Sequence, residues 1–380
     1  MRLGEVCESI SQTFRRQLDR VVLINTSDVL DGKVINHAYV PNENLRGQFK
    51  KSFFKNDILY SEIRPKNRHF AFVDFDARNY VASTKLMVIR ANEQVLPEFL
   101  FQVLKSDSVI DQLQLLAETR SGTFPQVTFS ELAALDVSIP SIDKQREIAS
   151  TLRALDDKIA NNTKVNHHLE QMAQAIFKSW FVDFEPWDGE RPDDWKDGCL
   201  GDIIELFDFK RVPLSGNQRE KMEKIYPYYG AAALMDYVDD YLFDGTYLLL
   251  GEDGTVIDEL GFPTLQYVWG KFWVNNHAHI LQGRNGFTAE SLYTLLKQAS
   301  VTSIVTGAVQ PKINQANLKS LGVVIPSGET IEQFNALIDP LFTRFRENKD
   351  ENLRLAKLRD ALLPRLMSGE LSVADLGAAK

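Results

Sequence analysis

Over residues 1–140 apolar and polar positions alternate in short runs, the period of strands half-buried against a core, and the same texture returns over residues 186–326. The stretch after each block has a different period. In the first, Ile148, Leu152, Leu155 and Ile159 step by four, three and four residues, Asn162 and Asn166 take the next two positions, and Leu169, Ile176 and Trp180 resume the series. In the second, Phe334, Ile338, Leu341 and Phe345 are followed by Asn348 and Asn352, then by Leu355, Leu362 and Leu366. This spacing predicts two long helices with heptad-like seams. At 1.5 Å per residue, roughly 40 residues make a rod of about 60 Å, too long for a small domain's core, so the seams predict helices packed on each other as an antiparallel coiled coil. The four asparagines predict register locking, because a buried amide is costly wherever it does not meet a partner.

The chain also repeats itself. FPQVTFSELAALDVSIP at Phe124 to Pro140 recurs as QPKINQANLKSLGVVIP at Gln310 to Pro326, with six of seventeen positions identical at a constant offset of 186. Both copies read as strand-like alternation leading into a long helix. A fainter echo joins the block starts, RLGEVCESI at Arg2 and CLGDIIEL at Cys199. Ser141 or Asp143 suits the first helix N-cap, and Thr330 with Gln333 suits a capping box at the second. Gly369 marks an exit, and Pro364 predicts a kink.

The expected fold class is α/β: two mixed α+β globular domains separated by two long helices, with internal pseudo-two-fold symmetry. The expected division is 1–140 for the first globular domain, 141–185 for the central helix, 186–326 for the second domain, 327–370 for the distal helix and 371–380 for a tail. Two similar units at a fixed separation suit a target with two half-sites, as DNA has.

Charge qualifies that idea. The net charge is −9, yet residues 1–140 balance 17 basic against 17 acidic side chains while residues 186–326 carry the acid excess. Within Asn44 to Phe70, seven basic residues face only Asp57 and Glu62. That local patch makes Arg46, Lys50, Lys51, Arg64, Lys66, Asn67 and Arg68 candidates for phosphate and base contacts, and a solvated loop is the plainer reading. In the second block the polar stretch Lys210, Arg211, Asn217, Gln218 and Arg219 around Gly216 reads as a loop with the same chemistry. Cys7 and Cys199 are too few and too far apart for a disulfide framework or a thiolate metal site. His277 and His279 alternate on a presumed strand and invite a metal reading, but no third ligand is visible nearby, so packing roles are expected. GEDGT at Gly251 lacks the glycine spacing and lysine of a phosphate loop and reads as a turn. No nucleophile elbow, dinucleotide fingerprint or metal motif appears. The start of the chain lacks the layout of a signal peptide, no long apolar run suggests a membrane span, and a cytoplasmic protein is expected.

PSIDKQREIASTLRALDDKIANNTKVNHHLEQMAQAIFKSWFVDFEP, from Pro140 to Pro186, resembles the central region of the specificity subunits of Type I restriction-modification enzymes, and KLRDALLPRLMSGEL, from Lys357 to Leu371, resembles their distal region. NDILYSEIRP, YLLLGEDGT and GKFWVNNHAHIL look like segments of their target-recognition domains. The resemblance spans essentially the whole chain. It implies a non-catalytic subunit whose two target-recognition domains each read half of a bipartite, asymmetric site in double-stranded DNA. It further implies helices that set the spacer and dock two adenine-N6 methyltransferase subunits, which carry the S-adenosylmethionine, with restriction and translocase subunits completing the complex. A coiled-coil scaffold whose heads bind proteins, and an enzyme with a site between the heads, are the competing classes. The acidic second block fits the scaffold, and no paired nucleophile and base supports the enzyme.

Overall fold

A computed structural model of the 380-residue chain describes residues 1–15, 18–43, 47–120, 125–307 and 310–378. Its contacts divide into two compact units, Met1–Ala160 with Asn352–Lys380, and Asn161–Glu351.

In the first unit, strands β1 (Cys7–Ile10), β2 (Arg20–Ile24), β3 (Tyr39–Pro41), β4 (Phe49–Lys51), β5 (Ile58–Ser61), β6 (Phe70–Phe72), β7 (Tyr80–Ser83) and β8 (Leu86–Ala91) form two four-stranded sheets. One runs β1-β8-β5-β6 and is antiparallel throughout; the other runs β3-β2-β7-β4, with β2 and β7 parallel at Val22 opposite Tyr80. Helices α1 (Pro97–Leu104) and α2 (Asp107–Arg120), the short α3 (Phe129–Ala133) and the first half of α4 (Ile142–Phe181) follow. β5 is buried along its whole length, which is why its sequence ILYS is almost wholly apolar rather than alternating.

The second unit has strands β9 (Ile204–Leu206), β10 (Tyr226–Tyr229), β11 (Leu234–Val238), β12 (Phe243–Asp244), β13 (Tyr247–Gly251), β14 (Leu265–Val268), β15 (Lys271–Val274) and β16 (Ala278–Gly283). Their sheets run β9-β16-β13-β14 and β11-β10-β15-β12, again with one parallel pair, Tyr228 opposite Trp273. Each of β1 to β8 thus has its counterpart eight strands later, in the same place in the corresponding sheet; the first unit also has a small hairpin, Val29–Leu30 with Lys33–Val34, and the second an added pair, Lys196–Cys199 with Gly322–Ile325. Helix α5 (Ala289–Leu296), the short α6 (Gln315–Lys319) and the long α7 (Gly328–Ser368) complete the chain's main elements.

The repeated segment builds the same joint in both units. Val127 and Leu132 are buried in the first core, and their copies Ile313 and Leu318 in the second. Its middle is not strand-like, as the alternation suggested, but a five-residue helix. Thr128 accepts from the Glu131 amide at 3.4 Å while the Glu131 carboxylate accepts from the Thr128 amide at 2.7 Å, a capping box that overrides the alternation. The copy opens the same way, with Asn314 accepting from the Asn317 amide at 2.8 Å.

The two long helices are continuous over 40 and 41 residues. Ser327, not Thr330, caps α7, its hydroxyl accepting from the Thr330 amide at 3.3 Å, while Gln333 turns outward to Glu329. The α7 helix runs through both Pro364 and Pro340, the second of which the periodicity passes over. Within each unit the helices pack antiparallel, so that partner numbers fall on α7 as they rise on α4. In the first unit Ile159 meets Asn352 and Asp156 meets Arg359; in the second Asn162 meets Glu351, Asn166 meets Asn348 and Phe177 meets Phe334. Ile148, Leu152 and Leu362 lie in the first core and Ile338 in the second, and Leu155, Ile159, Leu169, Ile176, Leu341, Phe345 and Leu355 are partly buried, as a seam requires.

The asparagines follow the repeat. Asn166 donates to the Phe345 carbonyl at 3.0 Å, and its copy Asn352 donates to the Ile159 carbonyl, the copy of Phe345, at 3.4 Å. Asn348 donates to the Asn166 amide oxygen at 2.8 Å, so amide does meet amide in the second unit. Asn162 donates to the Glu351 carboxylate at 2.7 Å.

Replacing Asn166 alone by Leu removes the acceptor of a buried amide and is expected to cost about 1–3 kcal/mol. Replacing Asn166 and Asn348 together by Leu is expected to recover most of that loss. Chemical denaturation followed by tryptophan fluorescence measures it, because all five tryptophans, from Trp180 to Trp273, lie in the second unit.

Candidate nucleic-acid interface

The basic patch of the first unit folds into two pieces around the Ser83–Leu86 turn, which leads from β7 in one sheet to β8 in the other. On β4 the Lys50 side chain is exposed, whereas the Lys51 ammonium turns inward and donates to the carbonyls of Thr84 at 3.1 Å and Leu86 at 2.8 Å. Burial lowers the Lys51 pKa, aided by Lys85 and opposed by Glu62. Lys85 itself is half-exposed, 3.8 Å from Glu62, and sequence reasoning missed it because it lies beyond the linear cluster. Arg46 lies outside the described residues.

The other piece is the turn RPKNR. Pro65–Asn67 form one 3-10 turn, flanked by Arg64 at φ +44° and Arg68 at φ +53°, both left-handed. The turn lies against α2, where the Lys66 amide donates to Gln114 at 3.1 Å, the Lys66 ammonium stands 3.5 Å from Asp111, and the Arg68 guanidinium pairs with Asp107. Asp107 and Asp111 are one helical turn apart, so one acidic face of α2 holds two of the candidate cations. Arg64 and Asn67 remain exposed.

In the second unit the candidate residues separate. Ser215 caps a helical turn, Gly216–Glu220, where sequence suggested a loop; Gln218 closes its capping box, and Asn217 and Gln218 stay exposed. Lys210 is exposed, its ammonium 5.1 Å from the Phe207 ring and 5.8 Å from the exposed Phe209 ring. Arg219 is largely buried, 3.5 Å from Asp236 and over the Tyr228 ring at 5.0 Å.

Arg211 lies in a buried charge network. Its side chain is 15% exposed, and it donates to Glu252 at 2.6 Å and to the Ala278 carbonyl at 2.9 Å, with Asp208 at 3.6 Å. Asp208 accepts from the Ile280 amide at 2.9 Å and from Gln315 at 2.7 Å, and meets His279 Nδ1 at 2.6 Å. The other ring nitrogen of His279 meets the Ile313 carbonyl at 2.7 Å. Asp208, Glu252 and His279 therefore do converge as a metal triad would, supplying the carboxylates that sequence could not place beside His279. Both ring nitrogens are already engaged, however, and Arg211 with Lys312, 3.3 Å from Glu252, supplies the positive charge. The cluster is a joint, tying β13, β16 and the repeated segment together. His277 stays apart from it, paired with Asp253 at 2.7 Å. Burial would raise the Asp208 carboxyl, but the bonds from His279 and Ile280 and the Arg211 charge outweigh it and hold the pKa below its ordinary value. Glu252 is likewise buried yet held low by Arg211, His279 and Lys312.

The two units present the same backbone joint to these side chains. The Val127 amide donates to the Glu62 carbonyl at 2.8 Å and its copy Ile313 to the Glu252 carbonyl at 2.9 Å; the Arg64 amide donates to the Pro125 carbonyl at 3.1 Å and the Gly254 amide to Pro311 at 3.1 Å. GEDGT is a turn after β13, as read from its glycine pattern. Scaffold and joint are duplicated, while the exposed side chains are not.

A family model described as the Type I restriction modification DNA specificity domain matches residues 1–171 and again 192–353. The chain belongs to that family. Among curated relatives, the Type I restriction enzyme HindI specificity subunit of Haemophilus influenzae is 32% identical, over 97% of this chain and 98% of the relative. The MjaIX specificity subunit of Methanocaldococcus jannaschii is 28% identical over 74% of this chain and 71% of its own. The crystal structure of a Type I restriction-modification S subunit from M. genitalium shares the fold at a TM-score of 0.52 and 18% identity, covering 96% of this chain and 95% of that one. The specificity-subunit fold accounts for the strand-by-strand duplication, each family match covering most of one block.

Replacing Asp208 by Ala strands the buried Arg211 and His279 and is expected to destabilise the second unit by about 3–5 kcal/mol. Because Asp208 and Glu252 have depressed folded pKa values, their contribution is present above the ordinary carboxylate range and lost as pH falls through the lower folded values. An acid titration read by tryptophan fluorescence should therefore show unfolding that sets in below about pH 4, with a shallower pH dependence in Asp208→Asn.

Proposed function

We propose that each unit reads one half of a bipartite, asymmetric target in double-stranded DNA, as the specificity subunit of a Type I restriction-modification complex. The observation that carries this reading is duplication without identity: one topology, one joint and one helix seam occur twice, while the exposed polar side chains differ. A duplicated scaffold positions two readers alike, and different surfaces let them read different half-sites.

The α4 and α7 pair sets the number of unspecified base pairs between the half-sites and docks two methyltransferase subunits. Those partners carry S-adenosylmethionine and transfer the methyl group to adenine N6, which requires the base to leave the stack. Restriction and translocase subunits complete the assembly, and the complex works in the cytoplasm. No described helix is long and apolar enough to cross a membrane. Lys50 and Asn67 in the first unit and Lys210, Asn217 and Gln218 in the second contact DNA, while Lys66 and Arg68, paired with Asp111 and Asp107, shape the turn beside them. Lys51, Arg211 and Arg219 act from behind, holding the loops that carry those contacts.

The test is co-expression with the neighbouring methyltransferase subunit in a methylation-free host, followed by genome-wide mapping of N6-methyladenine. One split motif with a fixed gap is the expected outcome. Association of the two proteins without methylation in any motif, or DNA affinity that does not fall with salt, would favour a scaffold whose heads bind proteins.

A further inference from the structure

We infer that Arg64 reads a base in the half-site of the first unit. This rests on the function proposed above and assigns one contact within it. The position has an internal control, because the repeat places Gly254 at the same joint. Both residues donate their amide to the proline of the repeated segment at 3.1 Å, Arg64 to Pro125 and Gly254 to Pro311, and both are left-handed, at φ +44° and +82°. What the joint demands is therefore a left-handed residue, which glycine supplies without strain. Arginine supplies it against the clash of its β-carbon, and ahead of Pro65, which restricts its backbone further.

Nothing described within the first unit offsets that strain. The Arg64 side chain is exposed, and it forms no ion pair or hydrogen bond with another described residue. Its basic neighbours differ: Lys66 and Arg68 are held by Asp111 and Asp107 of α2. Arg64 is thus the uncommitted guanidinium of the turn, on a backbone fixed at both ends. At Gly254 a β-carbon would meet no atom within 4 Å, so the joint leaves this direction open in the second unit too, yet no side chain is there.

A phosphate contact needs only a positive charge on a flexible stem, which the exposed Lys50 already provides. A strained, anchored arginine suits the bidentate geometry of a guanine edge, where direction matters as much as charge. The glycine in the second unit makes this contact particular to one half-site, a source of the target's asymmetry.

The experiment compares wild type, Arg64→Gly and Arg64→Lys, each co-expressed with the methyltransferase subunit, by methylation mapping and by the melting temperature of the purified chain. Arg64→Gly should melt no lower than wild type, yet accept other bases at one position of one half-site, with discrimination there reduced roughly 5- to 150-fold and the second half-site unchanged. Arg64→Lys should share the relaxed motif. Full retention of the wild-type motif in Arg64→Gly would overturn the proposal. So would a uniform loss rescued by lysine, which marks a phosphate clamp, or a lowered melting temperature, which marks a structural residue. If the wild-type chain itself yields no methylated motif, the specificity-subunit reading falls, and the proposal with it.

Discussion

Each core of this protein is closed by two helix segments, one from α4 and one from α7, and their antiparallel pairing within each unit is what sets them against the sheets. In the first unit Leu362 and Leu366 pack with Ile148, Leu152 and the β-sheet residues Ile58 and Ile89. In the second, Phe334, Ile338 and Phe342 pack with Ala173, Phe177 and the strand residues Leu248 and Leu281. Neither sheet pair could bury its apolar face without those residues, so the register of the helices is a condition of both cores. A slip along the seam would withdraw Leu366 from one core and Phe334 from the other. The buried asparagines oppose such a slip, because their amides find partners in one alignment.

Charge is used differently on the inside and outside of the same scaffold. The first unit holds Asp156 with Lys105, Arg359 and Gln102, and the second holds Glu290 with Arg346 and Tyr267, so in both an acidic group clasps head to helix. Arg211 and Arg219 are committed to Asp208, Glu252 and Asp236 inside the second unit, while lysines such as Lys196, Lys210, Lys221 and Lys271 stay exposed. Net charge was a poor guide to partners for this reason. What reaches a ligand is the charge left over after the interior has been satisfied, and at the turn RPKNR that remainder is one arginine.

The long-range reading from sequence succeeded where a physical period enforced it. Heptad spacing, the constant offset of 186 and the paired asparagines marked the helices, the duplication and the seam, because each reflects a local geometric rule acting over many residues. Candidate contacts were less legible. Lys51 and Arg64 look equivalent in the sequence, yet one ammonium is buried on two carbonyls and one guanidinium faces water. Lys85 escaped notice because it joins the site through the turn between the two sheets, not through the linear patch.

The sequence by itself determined the architecture: two mixed α+β domains built alike, two long helices with matched seams, and membership of a family that reads DNA. Apolar periodicity and repetition are properties of the chain as written, so they could be read directly. The tertiary structure alone decided which cations remain free, that Asp208, Glu252, His279 and Arg211 form a closed joint, and that Arg64 occupies a glycine's backbone position. Those facts depend on residues tens of positions apart meeting in space, and on which of two like charges is desolvated when they do.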